Sequence, residues 1–202
     1  MPKDRALERF KIVDETEFTW KNRIYKIDQI EHLSFDWINT TERVYGAKAG
    51  EYQQVCLHIG LLNNQKLDMR ITEKRSFMAM SIPGLKHDKK ESIEEMKGLY
   101  RRLLQLSFES RLSNYLRSID VDGFMRYGKC RFSPKEKTIC FKNRKFVAAE
   151  TKFTKTGTFI KMEPTSLRGF KKIAKTAVFD SSKDTDILFA VLDKWFGIRW
   201  AE

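Results

Sequence analysis

The chain has 202 residues, 41% hydrophobic and 12% aromatic, enough apolar material for one large core or two cores in units of about 100 residues each. Its 39 Lys and Arg against 27 Asp and Glu leave a formal charge of +12, which makes nucleic acid, acidic lipid and acidic protein surfaces the partners to weigh. Three cysteines without a CxxC pair argue against a disulfide framework or a zinc knuckle, and the lack of a secretory leader or of ~18 consecutive apolar residues points to a cytoplasmic protein with no transmembrane segment.

In chain order, Phe10 to Val13 is a short apolar segment, and Glu17 to Trp20 and Arg23 to Ile27 flank Lys21-Asn22, where asparagine suits the positive φ of a tight hairpin. Leu33, Phe35 and Trp37 alternate with polar residues, the period of a strand with one covered face. Residues 40 to 51 contain Gly46 and Gly50 and no sustained period, so a mobile surface loop is expected. Val55, Leu57, Ile59 and Leu61 alternate again, turn through Asn63-Asn64 and continue with Leu67, Met69 and Ile71. Phe77 to Met80 is a seventh strand candidate before the turn-rich Pro83-Gly84.

A long helix is expected from Ser92 to about Ile119. Ser92-Ile-Glu-Glu95 reads as a capping box, in which a hydroxyl and a carboxylate satisfy backbone N–H groups at the helix start. Its apolar residues shift face from Ile93, Met96, Tyr100 and Leu103 to Leu104, Phe108, Leu112, Tyr115 and Ile119, which predicts a bend or break near Leu106. Asp120 to Gly123 reads as a turn, followed by strands over 125–132, 138–141, 144–153 and 158–162. Leu167, Phe170, Ala174 and Ala177 fit a helical stripe, while Ala177 to Phe179 fit a strand end. Asp184 is expected to cap a final helix with Ile187, Leu188, Val191, Leu192 and Trp195 on its apolar face and Gly197 at its end.

The pattern Phe18-Thr-Trp-Lys-Asn-Arg-Ile-Tyr25 returns as Ile139-Cys-Phe-Lys-Asn-Arg-Lys-Phe146, so the chain reads as two related halves. The fold class expected is α+β, mostly β. Strands followed by one amphipathic helix, taken twice, resemble a tandem pleckstrin homology (PH) like protein of the bacterial type. The resemblance implies a first unit over 7–106, a connecting helix and turn over 107–122, and a second unit over 123–202. The second half offers only about five strand candidates where the superfold has seven. What the resemblance implies is binding: a non-enzymatic binding or scaffolding module for a protein or anionic partner.

Lipid-binding PH domains grip phosphates with a basic first hairpin, and Lys21, Arg23, Lys142 and Arg144 are similar in being basic residues at hairpin turns. Arg168, Lys171, Lys172 and Lys175 would share one face of a helix and neutralise phosphates. A solvated surface accounts better for both sets. Nucleic-acid binding through these basic residues is the alternative function, and peripheral contact with an acidic membrane remains open. Trp20, Phe35, Trp37, Phe141 and Phe153 sit in strand patterns, where core packing explains them better than base stacking. No cofactor, metal or catalytic group is assigned. Cys56 and His58 share a strand face but are two ligands only, His32 and His87 belong to no recognisable motif, and the pairs Asp120/Asp122 and Asp184/Asp186 sit where turns and helix starts use aspartate.

Overall fold

A computed structural model describes residues 7, 9–45, 47–76, 89–198 and 200–201. The strand candidate at 77–80, the turn at 83–84, Gly46 and His87 lie outside the described residues. The chain is α+β, with strands outweighing helices, and divides into two compact units, Met1–Ser107 and Phe108–Glu202.

In the first unit, β1 (Phe10–Ile12), β2 (Glu17–Trp20) and β3 (Arg23–Lys26) form one antiparallel sheet. A 3-10 turn over Ile27–Gln29 leads to a second sheet of β4 (Ile30–Val44), β5 (Ala47–Leu61) and β6 (Lys66–Ser76). Alternation explains the core: Leu33, Val55, Leu57, Ile59, Leu61, Leu67, Met69 and Ile71 point to one face and are buried with Phe18, Trp20, Tyr25 and Ile27. The stretch expected to be a loop is instead the far end of the β4–β5 hairpin, paired from Thr40 with Tyr52 to Val44 with Ala47, with a register shift at Glu42/Arg43. Backbone pairing there continues beyond the covered part of the sheet, so the sequence carries no alternation to betray it.

The second unit begins inside the long helix and holds two four-stranded sheets. One has the order β10-β9-β8-β7, from β7 (Met125–Tyr127), β8 (Cys130–Ser133), β9 (Thr138–Phe141) and β10 (Arg144–Val147). A 3-10 turn over Ala148–Glu150 leads to β11 (Thr151–Thr156), β12 (Phe159–Pro164) and β13 (Ala177–Asp180), with β14 (Trp200–Ala201) parallel to β11. The expected strands at 125–132 and 144–153 are thus each divided, the first by the Gly128 turn (φ 56°) and the second by the 3-10 turn.

The two units repeat one path. Strands β2 and β9 have four residues, a two-residue turn follows, β3 and β10 have four residues, and a three-residue 3-10 turn comes next. Its hydrogen bonds also recur. The Ile27 N–H donates to the Thr16 carbonyl at 2.7 Å and the Ala148 N–H to the Lys137 carbonyl at 2.9 Å. After the second strand of each following sheet, the Leu62 N–H donates to the Gln29 carbonyl at 2.9 Å and the Thr165 N–H to the Glu150 carbonyl at 2.8 Å.

Helix α1 is continuous over Lys89–Asp122, without the break expected near Leu106. The shift of its apolar face has another cause: Ile93, Met96 and Leu103 belong to the first core, whereas Phe108, Leu112, Tyr115, Leu116 and Ile119 pack on the second. Ser92 lies inside the helix, so the expected capping box does not start it. Asp120 and Asp122 form its last turn, and Gly123 (φ 75°) ends it by donating its N–H to the Ile119 carbonyl at 2.8 Å. Helix α2 covers Gly169–Lys175 and α3 covers Thr185–Phe196, ended by Gly197 (φ 59°) as the sequence predicts. Ile187, Leu188, Val191, Leu192 and Phe196 bury the α3 face, each contributing ~1.5–3 kcal/mol. Leu188→Ala would remove ~2–5 kcal/mol by opening a cavity. Among the described residues no helix is long and apolar enough to cross a membrane.

Candidate functional site

Two neighbouring hairpins of the second unit, β7–β8 and β9–β10, build a strongly basic concavity. Cross-strand register sets one row across the sheet: Arg126 opposite Arg131, Arg131 opposite Cys140, and Cys140 opposite Lys145. Facing like charges oppose strand pairing. Lys129 and Lys142 stand at the two hairpin turns, and with Arg144 these cations line an open groove of about 650 Å³ that has no acidic lining residue. The guanidiniums of Arg126 and Arg131 lie 5.3 and 5.1 Å from the Phe124 ring, whose electron-rich face partly offsets their repulsion. Lys145 pairs with Glu136 at 2.8 Å. Its ammonium and the Thr138 hydroxyl hold the Glu136 carboxyl below the usual range, and Glu136 in turn raises Lys145.

The predicted anion ligands divide between the two units. Lys142 and Arg144 join Arg126, Lys129, Arg131 and Lys145, to which the sequence does not point because the strands of the hairpin that divides 125–132 are too short for a sustained alternation. Lys21 and Arg23 occupy the equivalent turn of the first unit, where Lys21 (φ 51°) sits over the Trp20 ring at 5.1 Å. Lys142 (φ 54°) repeats this over Phe141 at 5.6 Å. The four cations of 168–175 do not form one solvent face. Arg168 is the residue before α2, Lys171 and Lys175 are exposed, and Lys172 turns back to Glu163 at 3.7 Å. Lys175 shares a second concavity of about 330 Å³ with Asn143, Arg144 and Lys145. Arg144 is fixed beside it by donating Nη1 to the Thr176 carbonyl at 2.7 Å.

The paired carboxylates Asp184 and Asp186 serve a cation of the chain itself. Arg111, fully buried on α1, donates Nη1 to Asp184 Oδ1 at 2.8 Å and grips Asp186 through Nη1 at 3.0 Å and Nη2 at 2.5 Å. The Tyr115 hydroxyl donates to Asp184 Oδ2 at 3.1 Å. Asp184 occupies the position before α3 with left-handed φ (41°), yet makes no capping bond with its side chain, so the expected cap is replaced by this ion cluster. Burial alone would lower the Arg111 pKa, but the two carboxylates outweigh it and hold it above its ordinary value. Burial, then the Asp184 charge, pushes Tyr115 well up. The signal was present in the sequence: Phe108, Arg111, Leu112, Tyr115 and Ile119 follow one helical stripe, and a lone cation within it demands a buried partner.

His58 lies on the outer face of β5 between Asp68, 2.5 Å from Nδ1, and Asp36, 3.2 Å from Nε2. Cys56 instead accepts from Gln54 Nε2 at 3.4 Å. His32 lies 3.7 Å from Glu31. Among the described residues no group of three or more His, Cys, Asp or Glu side chains is placed to hold a metal ion. Of the aromatics assigned to cores, Trp20 and Phe153 are buried, Phe35 stacks on Tyr100 at 5.2 Å and Phe141 packs on the second core. Trp37 departs from the expectation, being 44% exposed with the Lys97 ammonium 4.0 Å over its ring. Comparison with protein-family models, with curated proteins and with solved structures finds no match for this chain.

Proposed function

We propose that the chain is a non-enzymatic binding module of two PH-like units, working in a reducing cytoplasm, whose second unit takes a phosphate-bearing ligand in the groove between β7–β8 and β9–β10. The observation that carries this reading is Arg126 directly opposite Arg131, with Lys129, Lys142 and Arg144 beside them and no acid in the lining. An arrangement that opposes sheet pairing gains its use when an anion enters and accepts charge-assisted hydrogen bonds from several donors at once. Support for the PH-like reading comes from seven strands, β7 to β13, in two sheets followed by α3, and from the repeated path in the first unit. The free thiols Cys56, Cys130 and Cys140 agree with a reducing compartment.

The test is calorimetric titration of the full chain with inorganic tripolyphosphate, beside an Arg126→Ala, Arg131→Ala pair. Tripolyphosphate should bind and the pair should weaken it by about tenfold or more, since a charged hydrogen bond contributes ~1.5–3 kcal/mol. Equal binding by parent and pair sinks the groove. A parallel titration with a single-stranded oligonucleotide carries the nucleic-acid alternative: binding confined to the oligonucleotide and falling linearly with the logarithm of salt would replace the small phosphate ligand by nucleic acid.

A further inference from the structure

Helix α2, in the connection from β12 to β13, is amphipathic in the inverted sense. Phe170 is 90% and Ile173 71% exposed, and their spacing of three puts them on one side of the helix. Of the helical stripe that the sequence suggested, Phe170 and Ala174 meet solvent, whereas Ala177 is buried in β13. The side turned to the protein is polar instead. Lys172 reaches Glu163 of β12 at 3.7 Å, Glu163 is also held by Lys161 at 3.0 Å, and the Thr176 hydroxyl donates to the Lys172 carbonyl at 2.9 Å. The Lys161 and Lys172 ammoniums keep the Glu163 carboxyl below its ordinary range, so this polar anchor stays charged at neutral pH.

Single exposed apolar side chains need no explanation, but a Phe and an Ile displayed together on one side of a short helix do. Their surroundings carry one sign of charge. From Pro164 to Phe179 the chain has no acidic residue, and Arg168 and Lys171 near the apolar pair and Lys175 at the helix end are exposed. Lysine is depleted from protein–protein interfaces, whereas its stem can lie along an apolar layer with its ammonium at anionic headgroups. A lipid bilayer with acidic headgroups offers both environments at the right depth, and an apolar wedge plus a basic collar supplies the two signals that reversible membrane attachment needs.

We infer that α2 docks the protein on an anionic lipid bilayer, with Phe170 and Ile173 entering the headgroup–acyl boundary and Arg168, Lys171 and Lys175 meeting lipid phosphates. The docking rests on α2, whose Phe170 and Ile173 lie outside the groove lining, while Lys175 borders the neighbouring concavity with Asn143, Arg144 and Lys145.

The test sediments the full chain with vesicles of phosphatidylcholine alone and of phosphatidylcholine mixed with phosphatidylglycerol. Retention is expected only on the mixed vesicles. Phe170→Ser with Ile173→Ser should weaken partition by roughly a hundredfold, and Lys171→Ala with Lys175→Ala by roughly twentyfold at low salt. The serine variant should keep the parent's thermal midpoint and its tripolyphosphate titration, because both side chains are exposed and outside the groove. In a Phe170→Trp variant, the added emission should move to shorter wavelength on the mixed vesicles and be quenched by brominated acyl chains. A parent left in the supernatant, or equal retention of parent and serine variant, overturns the proposal. Self-association of the parent that is lost in the serine variant, without vesicle binding, would assign the pair to a protein contact and overturn it as well.

Discussion

The hairpins β2–β3 and β9–β10 have the same strand lengths, the same Lys-Asn turn and a lysine over the preceding aromatic ring, and they differ in what stands beside them. Next to β9 runs β8, paired with β7, and that hairpin brings Arg126, Lys129 and Arg131 to Lys142. Among the described residues the sheet of the first unit has three strands and ends at β1. A repeated backbone path therefore fixes where a basic turn points, while a site needs several donors to converge, and convergence comes from the neighbouring strands.

The units differ again in how helix α1 is held. Its first part meets the first core through Ile93, Met96 and Leu103, whereas its later part joins the second through Phe108 and Leu112 and through the buried Arg111–Asp184–Asp186 cluster. Arg111→Ala would leave the Asp184 carboxylate buried without its guanidinium, at a cost of about 3–5 kcal/mol. Hydrogen exchange should then show amides of α3 and β13 losing protection while those of β4 to β6 keep theirs. Equal loss in both units would mean that the second unit has no stability of its own, and the comparison would fail.

What the sequence made legible follows from this physics. Hairpins and strands with one covered face declare themselves by a period of two, as at 55–71, and α3 by its stripe, its Asp184 start and its Gly197 end. Lys142 and Arg144 could be named because a turn has local grammar. Arg126 and Arg131 could not, because their value lies in the β7–β8 register, which one glycine at 128 sets. Residues 40–51 resemble a loop in sequence because their strands gain pairing without a sustained alternation, and the shift of face along α1 resembles a break because one helix serves two cores.

Alkaline pH should separate the units next. Burial pushes the Cys130 thiol up to about 12 from its ordinary 9.0, and burial with the Asp184 charge raises the Tyr115 hydroxyl from 10.0. Both are acids kept neutral in the fold. As pH climbs above 9 the unfolded chain releases these protons and the folded chain retains them, so the unfolded state binds fewer protons and stability falls with pH. The loss begins near the unfolded Cys value and for Cys130 ends near pH 12. Urea midpoints followed by probes in the second unit should drop by the equivalent of about 1 kcal/mol between pH 8 and pH 10. Cys130→Ala should flatten that slope, and a slope unchanged by the substitution would mean that the thiol is not sheltered.

The smallest effect bears most directly on the two hairpins. Lys21 and Lys142 hold left-handed φ values of 51° and 54°, which costs a side chain with a Cβ about 1–2 kcal/mol and costs glycine nothing steric. A two-residue hairpin turn of this kind favours Asn-Gly, and a lysine in its first position is a poor choice for stability alone. Glycine in place of lysine also frees the unfolded chain, which offsets part of the relief. Lys21→Gly and Lys142→Gly should therefore each stabilise by about 0.5 kcal/mol in urea titrations, because each lysine holds a left-handed φ. Tripolyphosphate binding should divide them: Lys142→Gly should weaken it several-fold, since its ammonium lines the groove, and Lys21→Gly should leave it unchanged. Equal weakening by both would mean that the first hairpin is also a phosphate site, and equal indifference would mean that Lys142 is a strained turn residue with no ligand to hold.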